Sequence, residues 1–270
     1  MDNKKFHNNL IVSTSPHIVT DEDTTKLMGT VLLAMLPALV ASTYIFGARV
    51  LLLAAVCIVA SVGFEWIYNM LAKKPQTISD LSAAVTGLLI AFNVPSSFPL
   101  WMAVIGCFVA IVVIKQLYGG IGRNFVNPAI TARIFLFISF AAQMTTWPLP
   151  RMAAKTDAVT GPTPLALVAG GASKSDLPSN MDMFLGFTGG SLGEVSALAI
   201  LVGGLFLIWR KVISPAIPCA FLGTIFVIAL AYYKGDFNMA IFHLCAGGAM
   251  LGAFFMATDY VTSPKLTRGQ

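Results

Sequence analysis

Charged residues are scarce in this sequence. They make up 11% of the chain, whereas hydrophobic residues make up 57%, and a soluble domain carries charge on roughly a quarter of its residues. This composition excludes an ordinary water-soluble fold. The apolar runs approach the roughly 20 residues that a helix needs to cross a bilayer. We therefore predict an all-α fold, a polytopic membrane helical bundle. The net charge of +5 is then expected to reflect topology rather than binding to nucleic acid.

The sequence also lacks the patterns typical of metal centres and phosphate loops. The four cysteines lie singly inside apolar runs without a CxxC pair, so we interpret them as small hydrophobic residues and expect no metal site. No glycine-rich run ends in Gly-Lys-Ser/Thr, which excludes a Walker loop. The N-terminus is polar and contains acids, unlike a cleavable signal peptide. We predict a cytoplasmic lead-in over residues 1–26 and a single membrane domain over residues 27–270.

Eight apolar segments are candidates for membrane helices. The third and the sixth are short for a full crossing and begin at polar residues, which is typical of half-helices or tilted segments. The eight predicted segments run from about Leu27 to Phe46, Val50 to Leu71, Leu81 to Val94, Leu100 to Tyr118, Pro128 to Met144, Val195 to Trp209, Ile213 to Tyr232 and Phe237 to Ala257.

The distribution of Lys and Arg predicts the orientation in the membrane. If the N-terminus is cytoplasmic, the inside segments hold most of these residues, among them Lys73, Lys74, Lys115 and Arg123. The segment from about residue 145 to residue 193 then becomes the one long external loop. We expect chemistry to be presented on that loop.

A faint internal repeat suggests an inverted architecture. Gly87 to Pro99 and Gly252 to Pro264 share the same spacing of a glycine-led apolar run, a polar turn and a proline. The two segments would run in opposite directions five helices apart, which is the arrangement of an inverted five-plus-five repeat. Chance similarity is the alternative. The repeat predicts that about eight of its helices are present here and that two C-terminal helices are missing from this chain.

Ionisable residues inside apolar segments are costly and need a partner or a function. For Glu65 and His243 we expect a side chain that reaches toward a headgroup or a neighbouring backbone. Arg133 and Asp259 lie near the polar interruptions of the repeat. We expect these two residues to line a polar cavity.

Two loop motifs could carry chemistry. Gly119 to Pro128 joins two membrane helices through glycines and through Asn124 and Asn127. The glycines allow backbone to approach a planar ligand and the amides offer donors and acceptors to its edge, but a tight turn with Asn127 capping the next helix explains the same residues. In the long loop, the run from Asp157 to Leu165 places the Thr163 hydroxyl between two prolines on an exposed turn, which by itself is ordinary turn chemistry.

Taken together, the motifs resemble one family. The chain is similar to the D subunits of the Rnf complex, a family related to the B subunit of the sodium-translocating NADH:quinone oxidoreductase, from about Ser13 to the end. The motifs that carry the resemblance are Ser15-Pro16-His17, Val85-Thr-Gly-Leu-Leu89, Gly119-Gly-Ile-Gly-Arg-Asn-Phe-Val-Asn-Pro-Ala129, Thr160-Gly-Pro-Thr163, Gly193-Glu194 and Phe255-Met-Ala-Thr-Asp259.

The resemblance implies flavin cofactors. The family attaches FMN through its phosphate to the last Thr of a Ser/Thr-Gly-Ala-Thr motif, which corresponds here to Thr160, Gly161 and Thr163, with Pro162 in place of the usual alanine. A separate flavin transferase makes this phosphoester from FAD. B-type relatives also hold noncovalent riboflavin near the turn that corresponds to Asn124 and Asn127.

The same resemblance suggests further residues for the FMN pocket. Arg133, Thr258 and Asp259 are candidates for lining the external FMN pocket, and Glu194 is a weaker one. No residue is expected to act as a catalyst, because the cofactor supplies the electron chemistry.

The family also implies a setting for the chain. It would belong to a complex in the bacterial inner membrane that couples electron transfer between reduced ferredoxin and NAD to sodium or proton movement. Its partners would be other Rnf subunits, including an external one that carries FMN. Two alternatives are the B-type subunit of the quinone-reducing relative, which has a longer N-terminal extension, and a urea-channel-like transporter, which has no need of the Thr-Gly-Pro-Thr loop.

Overall fold

A computed structural model describes residues 23–150, 160–194 and 196–264. Most of the predicted lead-in, the Ser15-Pro16-His17 motif and residues 151–159 of the predicted long loop therefore lie outside the described residues. Within the described residues the chain is all α-helical, as predicted. Two helices are long and apolar enough to cross a membrane, and a third span results if one bent pair is counted as a unit.

The first half of the chain forms five principal helices. Helix α4 continues as a wider π-helix over Val109–Gln116, and a 3₁₀ turn at Ile78–Asp80 precedes α3. The helices are α1 (Thr24–Phe46), α2 (Arg49–Leu71), α3 (Ser82–Phe92), α4 (Leu100–Phe108) and α5 (Pro128–Ser139), and the short α6 (Ala141–Met144) follows them.

The second half begins with short loop helices and returns to apolar ones. Its last apolar segment was predicted as one helix but is broken, with a bend of 66° between α11 and the segment Ala249–Met256. The elements are α7 (Pro164–Ala169), α8 (Asn180–Leu185), α9 (Ala197–Trp209), α10 (Ala216–Tyr232), α11 (Phe237–Cys245) and α12 (Ala249–Leu251), which runs on as a π-helix over Gly252–Met256.

Side-chain caps explain where several of these helices begin. Asp23 Oδ1 accepts a hydrogen bond from Thr24 N at 2.8 Å and starts α1. Asn127 Oδ1 accepts from Ala129 N and Ile130 N, and Pro128 occupies the first turn of α5. Such caps satisfy backbone donors that the first turn of a helix leaves free. The cap that the sequence suggested for Asn127 is therefore present.

Glycines set the closest helix packing. A Cβ atom on Gly87 of α3 would lie 2.6 Å from the carbonyl oxygen of Cys57 in α2, and one on Gly203 of α9 would overlap the carbonyl of Ala34 in α1. Small residues at such crossings let helices in a membrane approach at backbone distance. The α2–α3 and α1–α9 pairs consequently form the rigid centre of the bundle. The buried core joins both halves of the chain across this centre.

Candidate functional site

A cavity of about 270 Å³ opens beside the turn that contains the two asparagines, and we call it the asparagine cavity. Its polar lining residues come from five separate parts of the chain, and apolar side chains of α1, α3, α9 and the last helix complete it. The polar and charged lining residues are Thr24, Ser82, Thr86, Lys115, Asn124, Asn127, Thr258, Asp259 and Tyr260. The volume lies just below the roughly 300–1,000 Å³ typical of small-molecule sites.

The two asparagines present complementary hydrogen-bonding groups at this cavity. Asn124 Nδ2 donates to the carbonyl oxygen of Val126 at 3.2 Å, and its Oδ1 accepts from no described residue. Asn127 uses Oδ1 as the cap of α5, while its Nδ2 has no acceptor within the described ranges. The pair thus offers one acceptor and one amide donor to a ligand. This arrangement can recognise the edge of a heterocycle.

The structure corrects the grouping of two predicted residues. The sequence interpretation assigned Thr258 and Asp259 to the pocket of Thr163, but both line the asparagine cavity instead. The π-helix Gly252–Met256 leads into these two residues, and Phe254 and Phe255 of that segment line the same cavity. Asp259 accepts hydrogen bonds from Val261 N and Thr262 Oγ1, so its carboxylate is held by its own turn.

A second cavity of about 190 Å³ contains Thr163, and we call it the threonine cavity. Its lining joins the loop around Thr163, α5, the loop before α9 and the break between α11 and α12. Backbone forms much of the surface. The lining residues are Arg133, Trp147, Thr163, Pro164, Leu165, Thr188, Gly189, Gly190, Glu194, Cys245, Ala246, Gly247 and Gly248.

Two of the glycines keep the threonine cavity open. Gly247 has a φ of +62°, a conformation that other residues adopt rarely, and a Cβ there would lie 2.9 Å from Leu165 Cδ1. A Cβ on Gly248 would lie 3.0 Å from Glu194 Oε1. Both glycines fall at the helix break. The break therefore supplies a surface on which a flat ligand can contact backbone directly.

Thr163 is less exposed than the sequence suggested. It is half-buried and caps α7, because its Oγ1 accepts a hydrogen bond from Ala166 N at 3.2 Å. The residues just before Thr163 contact the segment around Trp147. Thr160 forms an isolated β-bridge with Pro148, and Gly161 N donates a hydrogen bond to the Trp147 carbonyl at 3.0 Å. The loop thus holds the Thr163 hydroxyl at the rim of a cleft rather than displaying it in solvent.

Arg133 is the cationic group of the threonine cavity. Its Nη1 lies 2.9 Å from Glu194 Oε1 and donates to Asn93 Oδ1 at 2.9 Å. The side chain of Arg133 is 34% exposed and that of Glu194 is 9% exposed. The other guanidinium N–H groups have no acceptor in the described part of the chain. Arg133 can therefore bind Glu194 and still present donors to an anion in the cleft.

A buried ion pair beside the asparagine cavity was missed in the sequence. Lys115 was counted among the cations of the inside segments, and Glu65 was expected to reach toward a headgroup or a neighbouring backbone. The structure contradicts the expectation for Glu65, since Lys115 Nζ lies 3.0 Å from Glu65 Oε2 and the two side chains are 4% and 1% exposed. The available signal was that each charge stands inside a long apolar run, where an unpaired charge is too costly to persist.

The remaining ionisable residues have local partners. His243 was expected to reach a neighbouring backbone or a headgroup, but its Nε2 lies 3.1 Å from the Tyr233 hydroxyl and the two rings stack. Cys57 and Cys107 are fully buried, as expected of small hydrophobic residues. Cys245 instead lines the threonine cavity. Within residues 23–150, 160–194 and 196–264, no three His, Cys, Asp or Glu residues cluster as a metal site.

The two cavities approach each other along shared helices. In α3, Leu89 lines the asparagine cavity and Asn93, just past the helix, binds Arg133 of the threonine cavity. In α5, Ala129 lines one cavity and Arg133 the other. Four residues of helix rise by about 6 Å. The wall between the cavities is therefore only a few side chains thick.

Known proteins resemble this chain over nearly its whole length. The model of the NQR2, RnfD, RnfE family matches residues 11–270. The D subunit of the Na(+)-translocating ferredoxin:NAD(+) oxidoreductase complex of Acetobacterium woodii is 47% identical over 264 residues, which cover 97% of this chain and 80% of the relative.

Two further relatives carry related names. The D subunit of the proton-translocating ferredoxin:NAD(+) oxidoreductase complex of Clostridium ljungdahlii is 39% identical over 96% of this chain and 81% of its own length. The D subunit of the ion-translocating oxidoreductase complex of Rhodobacter capsulatus is 36% identical over 94% and 80%. This chain therefore belongs to the NQR2, RnfD, RnfE family.

Proposed function

We propose that this protein is the D subunit of an ion-translocating ferredoxin:NAD oxidoreductase complex, in which it carries electrons between two flavins. FMN is esterified through its phosphate to Thr163, and riboflavin is bound without a covalent bond in the asparagine cavity. The observation that carries the proposal is the pair of cavities a few side chains apart, one lined by Thr163 and one lined by the two asparagines.

The threonine cavity presents the groups that a phosphate ester with a flat ring would contact. Thr163 supplies the hydroxyl, and Arg133 supplies a positive charge and free N–H donors in the same cleft. The backbone at Gly247 and Gly248 allows close approach of a ring. When bound through its phosphate, the FMN ring supplies one- and two-electron chemistry, and the protein supplies position and electrostatics. Thr163 is thus an anchor and not a catalytic residue.

The asparagine cavity fits a heterocycle without a phosphate. Asn124 Oδ1 and Asn127 Nδ2 provide an acceptor and a donor, and most of the remaining lining is apolar. A pocket with a few polar groups in an apolar wall fixes the orientation of a ring.

The names of the relatives support membership of an ion-translocating complex, and they differ in the ion that is moved. One relative is named for sodium ions and another for protons, at 47% and 39% identity to this chain. As a family member with apolar helices, the chain resides in a membrane. We propose that the membrane is the bacterial inner membrane, with a cytoplasmic N-terminus and an external Thr163 loop. A flavin transferase would attach the FMN. The electron partners would be other Rnf subunits, including an external one that carries FMN.

The covalent flavin is tested on a denaturing gel under ultraviolet light. The full chain is expressed in a host that contains a flavin transferase, together with Thr163→Val and the control Thr146→Val, which lies in the same long loop but outside the Thr-Gly-Pro-Thr motif and the lining of the cavity. Wild type and the Thr146 variant should fluoresce and Thr163→Val should not. Absence of fluorescence in wild type, or an unchanged band in Thr163→Val, would remove the flavin anchor and favour the channel-like transporter.

The noncovalent flavin is tested by extraction and quantification. Asn124→Ala and Asn127→Asp should each lower the extractable riboflavin several-fold and leave the covalent band unchanged. Asn127→Asp keeps the Oδ1 atom that caps α5 and removes the amide donor, so a loss cannot be attributed to the missing cap. An unaltered riboflavin content in both variants would return the turn to a purely structural role.

A further inference from the structure

Lys115 is the cationic side chain of the asparagine cavity, and it carries a buried counter-ion behind it. Lys115 and Ser82 both line the cavity, and Lys115 Nζ donates to Ser82 Oγ at 2.6 Å. Glu65 is not among the lining residues, although Lys115 Nζ contacts its Oε1 at 3.2 Å and its Oε2 at 3.0 Å. Lys115 thus lies at the wall of the cavity, and Glu65 lies behind it.

The surroundings fix this orientation. Glu65 Oε1 also accepts from Gln116 Nε2 at 2.8 Å and from Thr77 Oγ1 at 2.6 Å, and Asn69 Nδ2 donates to Thr77 Oγ1. The carboxylate therefore accepts hydrogen bonds from three side chains, Lys115, Gln116 and Thr77. A buried charge without partners is strongly disfavoured. The Lys115 ammonium therefore stays in contact with the Glu65 carboxylate.

The π-helix at the end of α4 makes this arrangement possible. Ile114, Lys115 and Gln116 are three consecutive buried residues, and successive residues of a regular α-helix point about 100° apart, because a turn takes 3.6 residues. The wider turn, in which Leu117 N donates to the Val112 carbonyl, brings Lys115 and Gln116 together onto Glu65. Such local widenings occur frequently at functional sites.

We propose that Lys115 is a positioning residue for charge in the asparagine cavity: its ammonium favours the reduced, negatively charged form of the bound ring, and Glu65 limits that preference. The proposal rests on the proposed flavin in this cavity. Adding one electron to the ring adds one negative charge, and the electron comes from reduced ferredoxin through the complex. A fixed positive charge at the wall attracts that added charge in a poorly screened interior.

The ammonium acts through its field and not through a hydrogen bond to the ligand, because its three donors are already used by Glu65 and Ser82. Asp259 also lines the cavity, but its carboxylate is occupied by Val261 N and Thr262 Oγ1. Removing Glu65 should therefore make the cavity more positive, and removing both members of the pair should make it less positive.

The test is a redox titration of the noncovalent flavin. The full chain carries Thr163→Val throughout, so that only the noncovalent flavin remains, and dithionite is the reductant. Glu65→Gln should raise the midpoint potential, whereas Lys115→Met combined with Glu65→Gln should lower it. Each change is expected to be roughly tenfold in relative affinity for the reduced form, which equals about 59 mV for a one-electron couple. Lys73→Met, which removes an exposed cation outside the lining, is the control and should leave the potential unchanged.

The outcomes separate the two proposals. If wild type holds no noncovalent flavin, the assignment of the asparagine cavity fails, and the role of Lys115 fails with it. If the flavin is present and the double variant keeps both its content and its potential, only the role of Lys115 is overturned. The double variant leaves no unpaired buried charge, so it keeps the test decisive even if Glu65→Gln alone does not fold.

Discussion

The two cavities both contain a cation–glutamate ion pair, but the two pairs differ in how deeply they are buried. Each has a cation paired with a glutamate, Arg133 with Glu194 in the threonine cavity and Lys115 with Glu65 in the asparagine cavity. The side chain of Arg133 is 34% exposed, whereas that of Lys115 is 4% exposed. Among the described residues, Arg133 has N–H donors without an acceptor, whereas all three donors of Lys115 are used. The first pair is therefore suited to contact a ligand directly, and the second is suited to hold a charge beside one.

The difference in burial also separates the energetic roles of the two pairs. Removing one partner of a buried pair leaves an uncompensated charge in a medium of low polarity, whereas a partly exposed cation can be rehydrated. Breaking the ion pair of the asparagine cavity is thus expected to destabilise the fold. Breaking the ion pair of the threonine cavity is expected mainly to weaken ligand binding. Substitutions in and around the two cavities test this difference between the two ion pairs. The predictions below run from the largest expected effect to the smallest.

The largest effect is expected when the buried pair is broken. Lys115→Met leaves Glu65 charged and unpaired, and it should lower the free energy of unfolding by about 3–5 kcal/mol. The measurement is denaturation of the detergent-solubilised chain. Arg133→Met should cost clearly less, because water can reach the remaining Glu194 carboxylate through the cleft.

The control for this prediction is the double variant Lys115→Met with Glu65→Gln. It removes both charges and keeps an acceptor for Gln116 and Thr77, so most of the lost stability should return. Equal losses for Lys115→Met and Arg133→Met would show that burial does not distinguish the two pairs.

The second prediction concerns the wall between the cavities. Gly193 N donates to the Phe92 carbonyl at 2.8 Å, and a Cβ on Gly193 would lie 2.6 Å from Phe92 Cβ and 2.9 Å from Leu251 Cδ2. Gly193→Ala should therefore cost about 1–3 kcal/mol of stability, as overpacking does in other tightly packed interiors. The measurement is the same denaturation experiment.

Gly63→Ala is the matched control for that substitution. Gly63 lies in α2, and a Cβ there would have no atom within 4 Å. The control should be neutral or stabilising by up to about 1 kcal/mol, because alanine favours the helix. A Gly193→Ala variant as stable as Gly63→Ala would mean that the wall is looser than its contacts indicate.

Much of the fold could be predicted because it is encoded locally. Runs of apolar residues marked the helices, and Asn127 followed by Pro128 marked the start of α5. The break between α11 and α12 was not predicted, since Ala246-Gly247-Gly248 lies inside an apolar run and glycines are common in membrane helices. Only its backbone, with Gly247 at a φ of +62°, reveals it.

Less of the site could be predicted because it depends on distant contacts. Thr163 and Arg133 were both proposed, and they do line one cavity. The pairing of Glu65 with Lys115 joins residues 50 positions apart, and no periodicity records which helix faces which. The same reason explains the wrong placement of Thr258 and Asp259. Motifs indicated the chemistry, and tertiary packing decided which groups meet.

The third prediction uses Cys245 as a reporter of the threonine cavity. Cys245 lines this cavity, whereas Cys57 and Cys107 are fully buried. In a Cys219→Ser background, which removes the exposed thiol of α10, a small water-soluble maleimide should label Cys245. Labelling should be several-fold slower when Thr163 carries flavin than in Thr163→Val, because the ring would cover the thiol. Equal rates in the two proteins would place the flavin outside the cavity.

The smallest effect is expected at the exposed ion pair between Lys174 and the start of α11. Asp236 caps α11 through Asn238 N and Met239 N and forms an ion pair with Lys174. The hydrogen bond from Lys174, followed by that from Met239 N, holds the pKa of Asp236 below its usual value. Because the folded pKa is depressed, the pair contributes stability above the unfolded pKa of about 3.9 and loses it as the pH falls further.

Lys174→Met should therefore lower the thermal midpoint slightly at pH 7 and have no effect once the pH is low enough to protonate Asp236 in wild type as well. The loss at pH 7 should be smaller than that of Gly193→Ala, since an exposed pair is screened by solvent and salt. Lys234→Met removes a neighbouring exposed cation that forms no ion pair among the described residues, and it should change nothing at either pH. A Lys174→Met loss that persists unchanged at low pH would instead assign the effect to packing of the lysine stem against the loop.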